Sequence, residues 1–346
     1  MARTAVIGAG AWGTALARLL SENGHDCILW SHKEKTIRML KETHSLDKLP
    51  GVLLPENLSF TCDLKEAMTG RDLIVMAVAS PGTRETACEM KEFLKKGQKI
   101  VTVTKGIEDG TLMTQTDILE ELLPDAVYAV LSGPSHAEEV VRGLPTSVVA
   151  ASKARLLAEY VQNIFMSPVF RVYASPDVLG VELGGSLKNV IALAAGMADG
   201  MGFGDNCKAA LITRGIHEIT GLALKMGAFD DTLYGLSGIG DLVVTCASMH
   251  SRNRRAGILV GQGKSMNEAM DEVGQVVEGV YSARAALRLS EKYKAEMPII
   301  REVNKVLFDG KDPKAAVEDL MLRDKKIEIR IQENELPESW KSGTKA

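Results

Sequence analysis

Lys188 stands in the middle of an apolar helical run, Glu182-Leu183-Gly184-Gly185-Ser186-Leu187-Lys188-Asn189-Val190-Ile191. Helical spacing puts Gly184, Gly185, Ile191 and Ala192 on the lysine's face. A glycine inside a helix costs about 0.5–1 kcal/mol relative to alanine. Two of them beside a lysine imply that a ligand or another backbone comes close. Lysine is rarely fully buried unless paired. A desolvated ammonium holds its proton less tightly, which would make Lys188 usable in proton transfer. A lysine snorkelling from a helix edge would read the same way. Farther on, Ser237-Gly238-Ile239-Gly240-Asp241 sets an aspartate on a tight backbone, with helix capping as its alternative role. Ser251-Arg252-Asn253-Arg254-Arg255 gathers three guanidinium groups, a serine and an asparagine. That is a compact anion site suited to bidentate phosphate recognition, or else a solvated basic turn. Gly274-Gln275-Val276-Val277-Glu278-Gly279 reads as a loop.

A second chemistry opens the chain. Gly8, Gly10 and Gly13 fit G-x-G-x-x-G, between the apolar run Ala5 to Ile7 and the helical spacing of Ala15, Leu16, Leu19 and Leu20. Gly8 allows the tight turn, Gly10 lets a pyrophosphate approach, and Gly13 lets helix and strand pack closely. The pyrophosphate would sit on the free N–H groups of the helix start. About 20 residues on, an NAD-selective site carries an acid for the ribose hydroxyl. Here the second strand, Cys27 to Trp30, ends in Ser31-His32-Lys33 instead. These groups suit a 2′-phosphate, which favours NADPH with NADH tolerated; solvated loop residues are the alternative.

The elements that must position these groups follow from the pattern. Strands are predicted at Leu58–Cys62, Asp72–Val78, Lys99–Val103, Tyr128–Leu131, Thr146–Ala150 and Phe170–Tyr173. Ser80-Pro81 opens a helix, with Ser80 as its cap. Strands alternating with helices imply a mostly parallel, doubly wound sheet whose ligands bind beyond the strands' carboxyl ends. Lys105, Gly133 and Ser135 follow such ends and should line one crevice. After Ser175 helices dominate, near Val178–Ala198, Asn206–Met226, Arg255, Asn267, Ser282, Ile299 and Lys314. The division is therefore residues 1–175, 176–324, and a polar, disordered tail 325–346.

The net charge of −4 gives no support for nucleic-acid binding. No apolar run is read as long enough to span a membrane. Five scattered cysteines without a C-x-x-C pair fit reduced thiols in a cytoplasm better than disulfides or a zinc site.

From Gly8 to about Arg323 the chain resembles the bacterial-type NAD(P)-dependent glycerol-3-phosphate dehydrogenases. The motifs occur in order as GAGAWGT, VTKGIE, LSGPSHAEE, GGSLKNVIA, GLSGIGDLVVTC, SRNRRAG and VVEGV. The resemblance implies an α/β Rossmann-like doubly wound domain, then an all-helical domain of the 6-phosphogluconate dehydrogenase type, with the site between them. It implies reduction of dihydroxyacetone phosphate to sn-glycerol 3-phosphate with NADPH or NADH, for phospholipid synthesis. Lys188 resembles the general acid/base. Lys105, Gly133 and Ser135 resemble substrate contacts. Asn189 and Asp241 would hold the substrate hydroxyl and orient Lys188, and Ser251, Arg252 and Asn253 would clamp the phosphate. Gly8, Gly10, Ala11, Trp12, Gly13, His32, Lys33, Lys105, Ala137, Arg252, Val276 and Glu278 would meet the cofactor. Ala11 departs from the serine of many members. No metal is implied, since lysines supply the electrophilic assistance, and a homodimer is the default assembly. Two other readings are a 3-hydroxyacid dehydrogenase, disfavoured by the arginine cluster, and a non-catalytic NADPH sensor, which needs no paired lysines.

Overall fold

The computed structural model describes residues 1–325, 327, 328 and 337–340, so most of the tail reading falls outside the described residues. Buried apolar runs form β1 (Arg3–Ile7), β2 (Asp26–Trp30), β3 (Ser59–Thr61), β4 (Leu73–Met76), β5 (Lys99–Thr102), β6 (Val127–Ser132), β7 (Thr146–Ala151) and β8 (Phe170–Ser175). They join in one sheet of order β3-β2-β1-β4-β5-β6-β7-β8. All pairs are parallel except β6–β7. The order reverses at β1, the switch point at which such sheets hold ligands.

The helices α1 (Ala11–Glu22), α2 (Glu34–Thr43), α3 (Leu64–Met68), α4 (Thr83–Met90), α5 (Gln115–Leu122), α6 (Ala137–Val140) and α7 (Arg155–Phe165) cover the sheet. One face packs Val6, Leu29, Val75 and Val101 against α1; the other packs Ile7, Ile74, Met76 and Ile100 against α4 and α5. Alternate residues of one strand thus serve opposite layers, which is why central parallel strands read as unbroken apolar runs. The one antiparallel step has a local cause. Between β6 and β7 stands only the four-residue α6, too little for a crossover that returns the chain in parallel.

Beyond β8 follow α8 (Val178–Gly200), α9 (Asp205–Met226), α10 (Asp230–Leu233), α11 (Asp241–Ala247), α12 (Arg252–Gly261), α13 (Met266–Val273), α14 (Glu278–Lys292), α15 (Pro298–Phe308) and α16 (Pro313–Met321). Helix α8 corrects one expectation. Its 23 residues are long and apolar enough to cross a membrane, with a mean hydropathy of 1.4 over the best window, but 94% of that window is buried inside the protein. It is hydrophobic all round because other helices surround it.

Helices α8 and α12 touch backbone to backbone. A side chain on Gly196 would stand 2.2 Å from the Arg254 carbonyl oxygen, and one on Gly257 2.2 Å from that of Leu193. Gly200 and Gly261 repeat the contact one turn on. This crossing fixes the start of α12 over the middle of α8, where Lys188 lies.

Candidate active site

The α1 turn has the shape a pyrophosphate needs. Gly8 has φ +124°, and a Cβ there would meet the Ala77 carbonyl oxygen at 2.7 Å. A Cβ on Gly13 would overlap the Gly8 carbonyl oxygen. Nothing lies within 4 Å of the Cβ position of Gly10. Helix α1 has no side-chain cap, so its first N–H groups are open to an anion. The indole nitrogen of Trp12 is buried without a partner. A dinucleotide fits this cradle by its phosphates.

Lys188 is 5% exposed and Asp241 1%. The Lys188 ammonium donates to Asp241 Oδ1 and to Thr245 Oγ1, the latter at 2.8 Å. The other carboxylate oxygen takes Lys105 Nζ at 2.6 Å. Lys105 also donates to the Gly133 carbonyl at 3.0 Å and lies 3.5 Å from Ser135 Oγ. One carboxylate thus serves two ammonium groups. Burial favours neutral forms, and a single negative charge cannot fully compensate two positive ones. Desolvation first, with Lys105 adding to it and Asp241 opposing, pushes Lys188 down to about 7. Burial works to raise Asp241, but the two lysines outweigh it and hold the carboxyl below its ordinary value.

The glycine pair behaves as its placement implied. A side chain on Gly185 would reach Ser132 Oγ at 2.7 Å and the Lys105 stem at 3.5 Å; one on Gly184 would strike the Ser237 carbonyl. The pair admits both the Lys105 chain and the π-helical turn Leu236–Gly240, which delivers Asp241 as the first residue of α11. Asp241 is therefore not the N-cap of α11, a place taken by Gly240.

A cleft of about 280 Å³ opens beside these groups. Its sheet side carries Gly10, Ala11, Trp12, Gly13, Lys105, Ser135 and Ala137; its helical side carries Lys188, Asn189, Ser251, Arg252, Asn253, Val276 and Glu278. Gly8, Gly133 and Asp241 stand behind this lining and shape it. His32 and Lys33 are exposed at the end of β2; the His32 ring lies against Trp30, with centroids 6.2 Å apart.

The arginine cluster is narrower than its sequence implied. Successive helical residues turn by about 100°, so Arg254 faces away from Arg252. It holds Asp199 on α8, at 2.8 Å from Nε and 2.7 Å from Nη2. Only Arg252 borders the cleft. Ser251 caps α12 by accepting from Arg254 N at 3.2 Å. Asn253 donates to Asn189 Oδ1 at 2.9 Å and accepts from Gly279 N at 2.8 Å, tying α8, α12 and α14 together.

Ser80 is a further correction. It does not cap a helix. Its N–H and hydroxyl both donate to Glu278, joining the sheet side to α14. Burial raises the Glu278 carboxyl, against the two hydrogen bonds from Ser80. Sequence reasoning also missed Thr245. It lies four residues after Asp241, and its hydroxyl donates to the Asp241 carbonyl at 2.6 Å while accepting from Lys188. The i, i+4 spacing was the available signal.

Two family models match the chain, the NAD-dependent glycerol-3-phosphate dehydrogenase N-terminus over residues 3–158 and its C-terminus over 177–318. The chain is 62% identical over 329 residues to the glycerol-3-phosphate dehydrogenase (NAD(P)+) of Agathobacter rectalis, spanning 95% of this chain and 98% of the relative. It is 56% identical over 333 residues to that of Fusobacterium nucleatum, spanning 95% and 99%. A crystal structure of glycerol-3-phosphate dehydrogenase from Coxiella burnetii superposes with a TM-score of 0.90 at 37% identity, over 93% of this chain and 99% of that one.

Proposed function

The chain belongs to the NAD-dependent glycerol-3-phosphate dehydrogenase family, and from that membership we infer how its own residues carry the reaction. The enzyme interconverts dihydroxyacetone phosphate and sn-glycerol 3-phosphate with NADH or NADPH, supplying glycerol 3-phosphate for phospholipid synthesis. Its substrate is a small phosphate ester. Residues 1–175 serve the cofactor and 176–324 the substrate in this reading.

Bound NAD(P)H supplies the hydride to the carbonyl carbon. Lys188 gives its proton to the carbonyl oxygen, a transfer made possible by an ammonium that holds its proton loosely. Lys105 adds positive charge beside the developing alkoxide. Asp241 keeps the two lysines together and is the positioning group of the pair. Asn189 retains an amide N–H for the substrate hydroxyl, since its oxygen is occupied by Asn253. Arg252 binds the substrate phosphate at the start of α12, with Ser251 and Asn253 on either side of it fixing that helix start. Gly133 and Ser135 shape the floor beneath Lys105. The α1 turn receives the pyrophosphate, Ala137, Val276 and Glu278 border the nicotinamide side, and His32 and Lys33 stand where a 2′-phosphate would lie.

The observation that carries this reading is the Asp241 carboxylate shared by two lysines at the mouth of the dinucleotide turn. A 3-hydroxyacid substrate would leave Arg252 without its dianion, and a mere sensor would not need the lysine pair. The test is a spectrophotometric assay of dihydroxyacetone phosphate reduction. NADPH is expected to work at least as well as NADH, and unphosphorylated dihydroxyacetone to be very poor. A tenfold preference for NADH would contradict the part given to His32 and Lys33, because it is about 1.4 kcal/mol in the wrong direction.

The unpaired cysteines of the described residues support a cytoplasmic enzyme. An apolar groove beside α9 and α16, with Leu224 and Met321 42% and 79% exposed, supports a homodimer.

A further inference from the structure

Lys48 lies in the stretch from His44 to Pro55, which carries no helix or strand. The stretch is nonetheless pinned. Leu46, Leu49, Val52 and Leu54 are buried in the layer that also holds α1. Leu49 N donates to the Leu46 carbonyl at 2.8 Å, and Leu54 N to the His44 carbonyl at 2.7 Å. Lys48, between two anchored leucines, is exposed and borders the cleft together with Gly10, Ala11, Trp12 and Arg252. A lone lysine on an exposed loop would be unremarked; its neighbours make the difference.

Those neighbours are cations. Desolvation first, then Lys33 and Arg252, hold the Lys48 ammonium below the ordinary lysine value. Among the described residues none of Lys33, Lys48 and Arg252 is in an ion pair. Elsewhere most cations near a functional wall are paired: Lys105 and Lys188 with Asp241, Arg254 with Asp199. The Glu278 carboxyl offsets part of the Arg252 charge, but Lys33 and Lys48 repel each other and Arg252, and a bound anion removes that repulsion. The same wall carries the α1 helix start, which already calls for a phosphate.

We propose that Lys48 is a phosphate-binding residue for the dinucleotide, closing from the loop side an anion site that it shares with Lys33 and that borders the substrate-side Arg252. The proposal rests on reading the cleft as the NAD(P)H site. It adds a residue that acts by charge and from outside the glycine turn. The phosphate is either the pyrophosphate or the 2′-phosphate, two groups of one ligand.

The experiment uses the full-length chain and its K48M and K48R variants. Dissociation constants for NADPH and for NADH are read from nucleotide fluorescence without substrate, and KM for dihydroxyacetone phosphate is read at saturating cofactor. Lys48→Met is expected to weaken cofactor binding about fivefold, the scale of one exposed ion contact. Lys48→Arg should stay near wild type, and added salt should shrink the difference. Loss of NADPH binding alone identifies the 2′-phosphate; equal loss for both nucleotides identifies the pyrophosphate; either supports the contact. Unchanged affinity in K48M overturns it. So does an equal loss in K48R, which would mark a packing role, or a defect confined to KM for the substrate. A wild-type chain that bound neither nucleotide would instead refute the reading of the cleft.

Discussion

Lys188 and Asp241 meet inside the protein from different helices, 53 residues apart in the chain, with side chains 7% and 1% exposed. The remaining Asp241 oxygen is held by Lys105 from the sheet side at 2.6 Å. The aspartate therefore joins Lys188 on α8 to Lys105 after β5.

Asp241→Asn keeps the shape and removes the charge. Two ammonium groups would then face each other across an amide. Losing one partner of a buried ion pair costs roughly 3–5 kcal/mol. A lowered melting temperature is expected, with kcat down by at least about 10². Thermal unfolding and steady-state rates check both, and a variant within threefold of wild-type kcat would remove Asp241 from the mechanism.

The pH dependence follows from Lys188, which desolvation above all pushes down to about 7. Carbonyl reduction needs the ammonium, so kcat for reduction should fall as pH rises through about 7. Alcohol oxidation needs the free amine and should rise over the same range. The sign for stability also follows. Between about 7 and the ordinary 10.5, the unfolded chain keeps a proton that the folded chain has released. This group therefore makes stability increase with pH across that window. Rate profiles in both directions check the kinetic half, and Lys188→Met should abolish both inflections.

Arg252→Ala should chiefly harm substrate capture. A phosphate contact made equally in ground and transition states raises KM when lost and leaves kcat nearly unchanged. The expected loss is about 2–5 kcal/mol in kcat/KM if the contact is desolvated. A wild-type KM for dihydroxyacetone phosphate would place the clamp elsewhere.

Local chemistry made much of the site readable in advance. Gly8 and Gly13 announce their turn because only glycine tolerates those contacts, and Lys188 stands out because a charge in an apolar helix must be paired. Partners from distant elements were not readable. Nothing near Ser80 signals that its hydroxyl bonds Glu278 instead of capping a helix. Nothing in Ser251-Arg252-Asn253-Arg254 signals that Arg254 faces Asp199, since the rotation of α12 is set by its glycine contact with α8. The direction of β7 depended in the same way on how little chain separates it from β6. Lys48 was hidden for another reason: a loop without periodicity offers no pattern, and only its buried apolar residues and backbone hydrogen bonds show that it is fixed.

The central claim is that Lys188 supplies the proton, and Lys188→Ala tests it most directly. The measurement is paired: NADPH affinity by fluorescence titration, then kcat at saturating dihydroxyacetone phosphate. The cradle at Gly8 to Gly13 lies on the sheet side of the cleft and Lys188 on its helical side, so NADPH affinity should be nearly unchanged. Turnover should fall by about 10²–10⁴-fold, the worth of a positioned general acid. A folded variant that binds NADPH and loses less than about tenfold in kcat would contradict the assignment and leave Lys105 as the proton donor.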